Sequence, residues 1–251
     1  MSLADCAALV KQADEDRFLS VMAAKPEQRA ALFALYAFNI EISKAAWASA
    51  EPMLCQMRLQ YLRDLVDAIY AGGVLPHSPV AKPLADVIET GGIPQQKLVE
   101  MIEVRTWDIE RQAFDNTSHF NSYLQKTAGN LMMIAASATG GRQQDLDAIQ
   151  AHGRAMGLAK FLIAVPDFMA HGCKPLLDES PQALAALASA ALQQMQAAKI
   201  PQGGHAAVRA GFDTKRVLRR VSQQPERVLE GRLQTSPFRR KSSLLVMSLF
   251  G

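Results

Sequence analysis

Two aspartates raise the question of chemistry first. Asp64 and Asp67, in YLRDLVDAIY, stand three residues apart, which puts both carboxylates on one face of a helix. Such a pair can hold Mg2+, an ion that takes one or two carboxylates together with phosphate oxygens. No second acidic pair is evident to face it, and the same residues would serve as a solvated surface beside Arg63. Asp14, Glu15 and Asp16 cluster where a helix should begin, and negative charge is favoured there by the helix dipole. His171 and Cys173 form the one close His/Cys pair, whereas zinc needs three or four ligands at a recognisable spacing. His77, His119, His152 and His205 are scattered. No nucleophile elbow, phosphate loop, HExxH or dinucleotide fingerprint occurs. Residue by residue, the chain shows no catalytic constellation.

The elements that would position these groups read as helices almost throughout. Gly and Pro fall at joints, and no NG or DG turn lies between alternating strands. The spacing predicts helices near 3–11, 15–23, 27–49, 52–71, 80–90, 95–113, 118–138, 143–170, 182–198 and 214–230, with an amphipathic tail near 238–249. In the third of these, Leu32, Leu35, Tyr36 and Ile42 follow helical spacing, joined by Phe33 and Phe38, so the helix is apolar on more than one face. That predicts a central place in an all-α bundle. Ser43 and Lys44 arrive where the apolar spacing still points inward, with Trp47 beyond them. Weak boundaries fall at GCKPLLDESP (172–181) and KIPQGG (199–204), so the expected organisation is a helical domain over 1–200 and a basic helical segment over 201–251 packed on it.

Composition narrows the class. Apolar residues make up 49% and charged residues 20%, too apolar for a disordered chain. No apolar run reaches the roughly 18 residues that would suggest a spanning helix. The start, MSLADCAALVKQADEDR, carries acids early and lacks an export pattern, so the expected location is the cytoplasm. Cys6, Cys55 and Cys173 are far apart and odd in number, which suits reduced thiols. The net charge of +3 is unevenly placed: Arg209 to Lys241 holds ten basic residues and three acids. A basic segment on an acidic body suggests an anionic surface as partner, and with the final SLLVMSLF it predicts peripheral contact with an inner membrane.

Four segments carry a resemblance. RFLSVMAAKPEQRAALFALYAFNIEI, MRLQYLRDLVDAIYAG, SYLQKTAGNLMMIAA and GRAMGLAKFLIAVPDFMAHG resemble, in order and spacing, the squalene/phytoene synthase family over roughly residues 14–177. The resemblance implies an all-α, isoprenoid-synthase-like helical bundle around a central cavity. Active members join two prenyl diphosphates head to head, and two Asp-rich motifs on facing helices hold the Mg2+ that helps expel diphosphate. Here the first motif reads Ser43, Lys44, Ala45, Ala46 and Trp47 after the retained Tyr36-Ala37-Phe38. The second runs from Phe168 to Gly172, with Asp167 one place off. Tyr123 with Ala128-Gly129 matches the family's YxxxxAG helix. The resemblance makes Tyr36, Phe38, Glu41, Tyr123, Gly129 and Phe161 the candidate cavity residues, and it leaves no metal or cofactor expected.

The degenerate motifs, the RLQYLRD helix and HSPVAKPLADVI are similar to a branch that includes assembly factors of respiratory complex I. The expected function is therefore a non-enzymatic binding or assembly protein with a protein partner and no nucleic acid. Two alternatives stand beside it. One is a prenyl-diphosphate transferase of isoprenoid, carotenoid or squalene biosynthesis, with Mg2+ on a site rebuilt from Glu41, Asp64, Asp67 and Asp167. The other is a non-catalytic carrier of an isoprenoid or lipid ligand.

Overall fold

Every regular element among the described residues is helical. The computed structural model describes residues 2–199 and 205–250, so the KIPQGG boundary lies, after Lys199, outside them. Two short helices, α1 (Leu3–Ala13) and α2 (Glu15–Met22), meet at Asp14, whose side chain caps α2 by accepting from the Arg17 amide at 3.1 Å. Helix α3 (Pro26–Ala45) begins with proline at a position whose N–H has no helical partner to lose. Its residues Leu32 to Ile40 are all buried, as expected for the central helix.

Around it lie α4 (Pro52–Tyr70), α5 (Ala81–Gly91) and α6 (Gln95–Glu103). The helix predicted over 95–113 is broken. It stops at Glu103 and resumes as α7 (Thr106–Glu110), which ends where Arg111 turns left-handed at φ 56°. The break has a physical reason: it turns Trp107 and Asp108 inward, and both are buried. The helix predicted over 118–138 is also divided. Helix α8 (Thr117–Leu124) passes through a π-helical turn, Gln125–Gly129, into α9 (Asn130–Ala138). The extra residue in that turn rotates one half against the other, a distortion often found at functional sites.

Helix α10 (Leu146–Ala170) is the longest, and it crosses the π turn closely. A Cβ on Gly153 would meet the Ala128 carbonyl oxygen at 2.7 Å, and one on Gly157 would meet the Ala128 Cβ at 2.7 Å. Helices α11 (Pro181–Ala197), α12 (His205–Val208), α13 (Thr214–Gln223) and α14 (Pro237–Phe250) complete the bundle. The helix predicted to reach 230 ends at Gln223. Pro225 follows, and Gln224 before it leaves the helical region, at φ −142° and ψ 64°.

Two apolar cores result. One gathers around α1, α3, α4, α5, α6 and α9. The other joins Trp107, Phe120 and Phe161 to Val217, Leu218 and Val221 of α13 and to Val228 and Leu233 beyond it. The site described next lies at their seam.

Candidate functional site

A cavity of about 200 Å3 opens between α2 and α3 on one side and α8, the π turn and α10 on the other. Its polar lining holds three cations, Arg17, Arg105 and Lys160, beside the neutral Asn39, Ser43, Tyr123 and Thr127.

Each cation has a structural reason to be there. Arg105 sits at the break between α6 and α7. Its guanidinium donates to the Asp108 carboxylate at 3.2 Å, the Tyr123 hydroxyl at 3.1 Å and the Ser43 hydroxyl at 3.1 Å. Tyr123 in turn donates to Asp108 at 2.9 Å. Burial pushes the Asp108 carboxyl above its ordinary value even against Arg105 and the Tyr123 hydroxyl. For Arg105 the burial penalty is outweighed by Tyr123 and Asp108, so the guanidinium is held in its charged form. Burial and the Asp108 charge also push Tyr123 upward, so it remains a phenol and a donor. The four groups form one closed network across α3, α7 and α8.

Lys160 comes from the apolar stretch LAKFLIAV of α10 and reaches the Asp14 carboxylate at 3.0 Å. Arg17 lies 3.5 Å from the same carboxylate, and its guanidinium rests 5.3 Å from the centre of the Tyr36 ring. Burial alone would raise Asp14, but Lys160 and Arg17 outweigh it and hold the carboxyl at about 2.

The two degenerate motifs do face each other. Trp47 stacks on Phe168 with ring centroids 6.0 Å apart, and Phe168 lies 5.1 Å from Phe161. Where the family resemblance puts the first aspartate, Ser43 accepts from Arg105. Lys44, read from sequence as pointing inward, is exposed instead. Successive helical residues differ by about 100°, so Ser43 and Lys44 cannot share a direction. Gly172 is an exposed left-handed turn residue at φ 81° after α10.

Among the other candidates, Tyr123 and Phe161 line the cavity. Tyr36 and Phe38 are buried in the first core and do not line it. Glu41 is half-buried outside the lining, and Gly129 backs the π turn against Gln150 and Arg154 of α10. Asp64 and Asp67 lie exposed on α4, accepting from Gln60 at 2.7 Å and from Gln95 at 2.8 Å. Arg63, expected beside them, pairs with Glu103 instead. Asp167 is exposed. Among the described residues no three His, Cys, Asp or Glu side chains gather as a metal-binding group.

Sequence reasoning missed Arg105, Asp108, Arg17 and Lys160. A signal was present in two of the segments. An Arg and an Asp three apart interrupt the apolar spacing of MIEVRTWDIE, and a single Lys interrupts GLAKFLIAV. The residues present do not fit a magnesium–diphosphate centre, because the motif positions hold a hydroxyl tied to a guanidinium and two stacked rings.

This all-helical bundle has the isoprenoid-synthase fold. The structure superposes on a dehydrosqualene synthase in complex with ligand at a TM-score of 0.83 and 17% identity, covering 99% of this chain and 95% of that one. It also matches the squalene synthase HpnC from Alicyclobacillus acidocaldarius at a TM-score of 0.62 and 17% identity, covering 98% and 92%. These likenesses show the fold. Residues 10–173 match the squalene/phytoene synthase family, and the chain belongs to that family. Among its relatives is "NADH dehydrogenase (ubiquinone) complex I, assembly factor 6". The Bos taurus protein is 27% identical and the Homo sapiens protein 26% identical over 162 residues, 64% of this chain and 48% of each relative. The Drosophila melanogaster homolog is 26% identical over 170 residues, 64% of this chain and 50% of that one. The chain thus spans about half the length of the curated relatives it matches.

Proposed function

We propose that this chain is a non-catalytic family member that acts as a binding or assembly factor, with proteins of respiratory complex I as its partners. The observation that carries the reading is the Arg105–Ser43 hydrogen bond. A guanidinium occupies the ground beside the first motif position, where a family enzyme needs converging carboxylates to gather Mg2+. Like charges repel, so the same group that completes the buried network disfavours a metal there. The names of the relatives supply the partner class, and the family match over residues 10–173 covers the helices that build the cavity.

The cavity size bears on the carrier alternative. At about 200 Å3 it is smaller than the roughly 300–1,000 Å3 usual for small-molecule sites.

Two measurements test the reading. Purified protein incubated with Mg2+ and a prenyl diphosphate is expected to form no condensed product; product formation overturns it. Removal of the chain from its native cell is expected to lower assembled complex I on native gels. Asp64→Asn with Asp67→Asn should restore assembly fully, because those carboxylates lie on the solvent face of α4. Normal complex I without the chain would remove the assembly role.

A further inference from the structure

The most concentrated positive charge lies away from the cavity, in a cleft of about 450 Å3 between α13 and the start of α14. Five cations line it: Lys215, Arg216, Arg219 and Arg220 from α13, and Arg239 from α14. No carboxylate is in the lining. Arg216 is partly occupied, donating to the Arg239 carbonyl at 2.9 Å and lying 3.5 Å from Asp213 outside the cleft. Arg220 donates to the carbonyls of Leu233 and Gln234. Among the described residues Lys215, Arg219 and Arg239 have no acidic partner, and all three are exposed.

Helix α14 is fixed beside this cleft by one face only. Arg240 grips the Asp16 carboxylate at 2.9 and 3.0 Å, Leu244 is buried, and Met247 packs on the first core. At about 100° per residue, Phe238, Leu245 and Val246 then fall on the opposite, outward sector, next to Arg239. They are 81%, 60% and 57% exposed. An apolar edge thus continues directly into a carboxylate-free basic cleft.

We propose that this face docks on an anionic phospholipid surface, the cleft taking lipid phosphates while Phe238, Leu245 and Val246 enter the interface. Charge complementarity selects an anion, and the aliphatic Leu245 and Val246 beside Phe238 select a bilayer over nucleic acid, which gives aliphatic side chains nothing to bury against. Interfacial helices combine these two features. The inference stands apart from the assembly reading, since it concerns purified chain and lipid alone.

Vesicle flotation with purified protein tests it. Binding is expected to vesicles of phosphatidylglycerol and phosphatidylcholine mixed one to two, not to phosphatidylcholine alone, and to weaken as salt rises. Lys215→Gln with Arg219→Gln should weaken partition roughly thirtyfold, at about one cation's contribution each. Phe238→Ser with Leu245→Ser should weaken it in low and high salt alike. Both pairs are exposed, and an unchanged thermal melt shows that the variants fold. Equal binding to neutral vesicles, no flotation, or wild-type flotation by the glutamine variant overturns the proposal. So does displacement from vesicles by single-stranded RNA or an acidic peptide at equal charge concentration.

Discussion

Trp47, in the turn after α3, and Phe168, near the end of α10, stack with their ring planes 28° apart. In the family pattern those two positions would carry aspartates facing each other across metal ions. The fold still presents the positions to one another, but ring against ring stands where the family pattern would place ion coordination. Arg111 adds its guanidinium 5.2 Å from the Trp47 ring centre, and His171 lies 5.6 Å away on the other helix end. The seam that a synthase would bridge with magnesium is closed here by side chains.

Trp47→Ala should therefore cost about 2 kcal/mol, less than a fully buried aromatic because both rings are only partly buried. Urea denaturation measures it. Ser43→Asp should not create a metal site, since Arg105 captures the new carboxylate; Mg2+ is expected to leave its melting temperature unchanged. A clear Mg2+-dependent rise would contradict the account of Arg105.

Arg105→Ala should destabilise the fold by about 3 kcal/mol or more, because it leaves the Asp108 carboxyl buried without its cation. Asp108→Asn should also be costly, and the double variant should lose much less than the sum. A double-mutant cycle that comes out additive would show that the two do not act as a unit.

The acid limb of stability should depend on Asp14. Its folded pKa of about 2 lies below the ordinary 3.8, so its ion pairs stabilise the fold above that value. Their contribution is lost as the pH falls from 3.8 towards 2. The stability gap between wild type and Asp14→Asn, followed by chemical denaturation, should shrink across that window. A constant gap would mean that the charge of Asp14 contributes nothing.

Gly153→Ala should destabilise by about 2 kcal/mol, since its Cβ would strike backbone of the π turn, at the Ala128 oxygen and the Gly129 Cα. Gly129→Ala should cost less. Its Cβ meets the flexible Gln150 and Arg154 side chains at 3.2 and 3.3 Å. Equal melting temperatures for the two variants would argue against close crossing as the reason for glycine at 153.

Most helices were legible because their signals are local. Pro26 and Pro52 begin helices, Gly92 and Gly140 take left-handed turns after them, and apolar spacing places α3 at the centre. The missing aspartates at Ser43, Trp47 and Phe168 were equally plain, since a residue type is read directly. The breaks at Val104–Arg105 and at the π turn were not, because each depends on what the turned side chains meet from other helices.

The sequence alone thus determined the class of the chain and the absence of the acidic motifs. Only the tertiary structure decided what replaced them. Ser43, Arg105 and Tyr123 are separated by 62 and 18 residues along the chain, yet they share one network. Trp47, in the turn after α3, meets Phe168 near the end of α10. Partners that distant leave no local spacing to read; their meeting is fixed by packing.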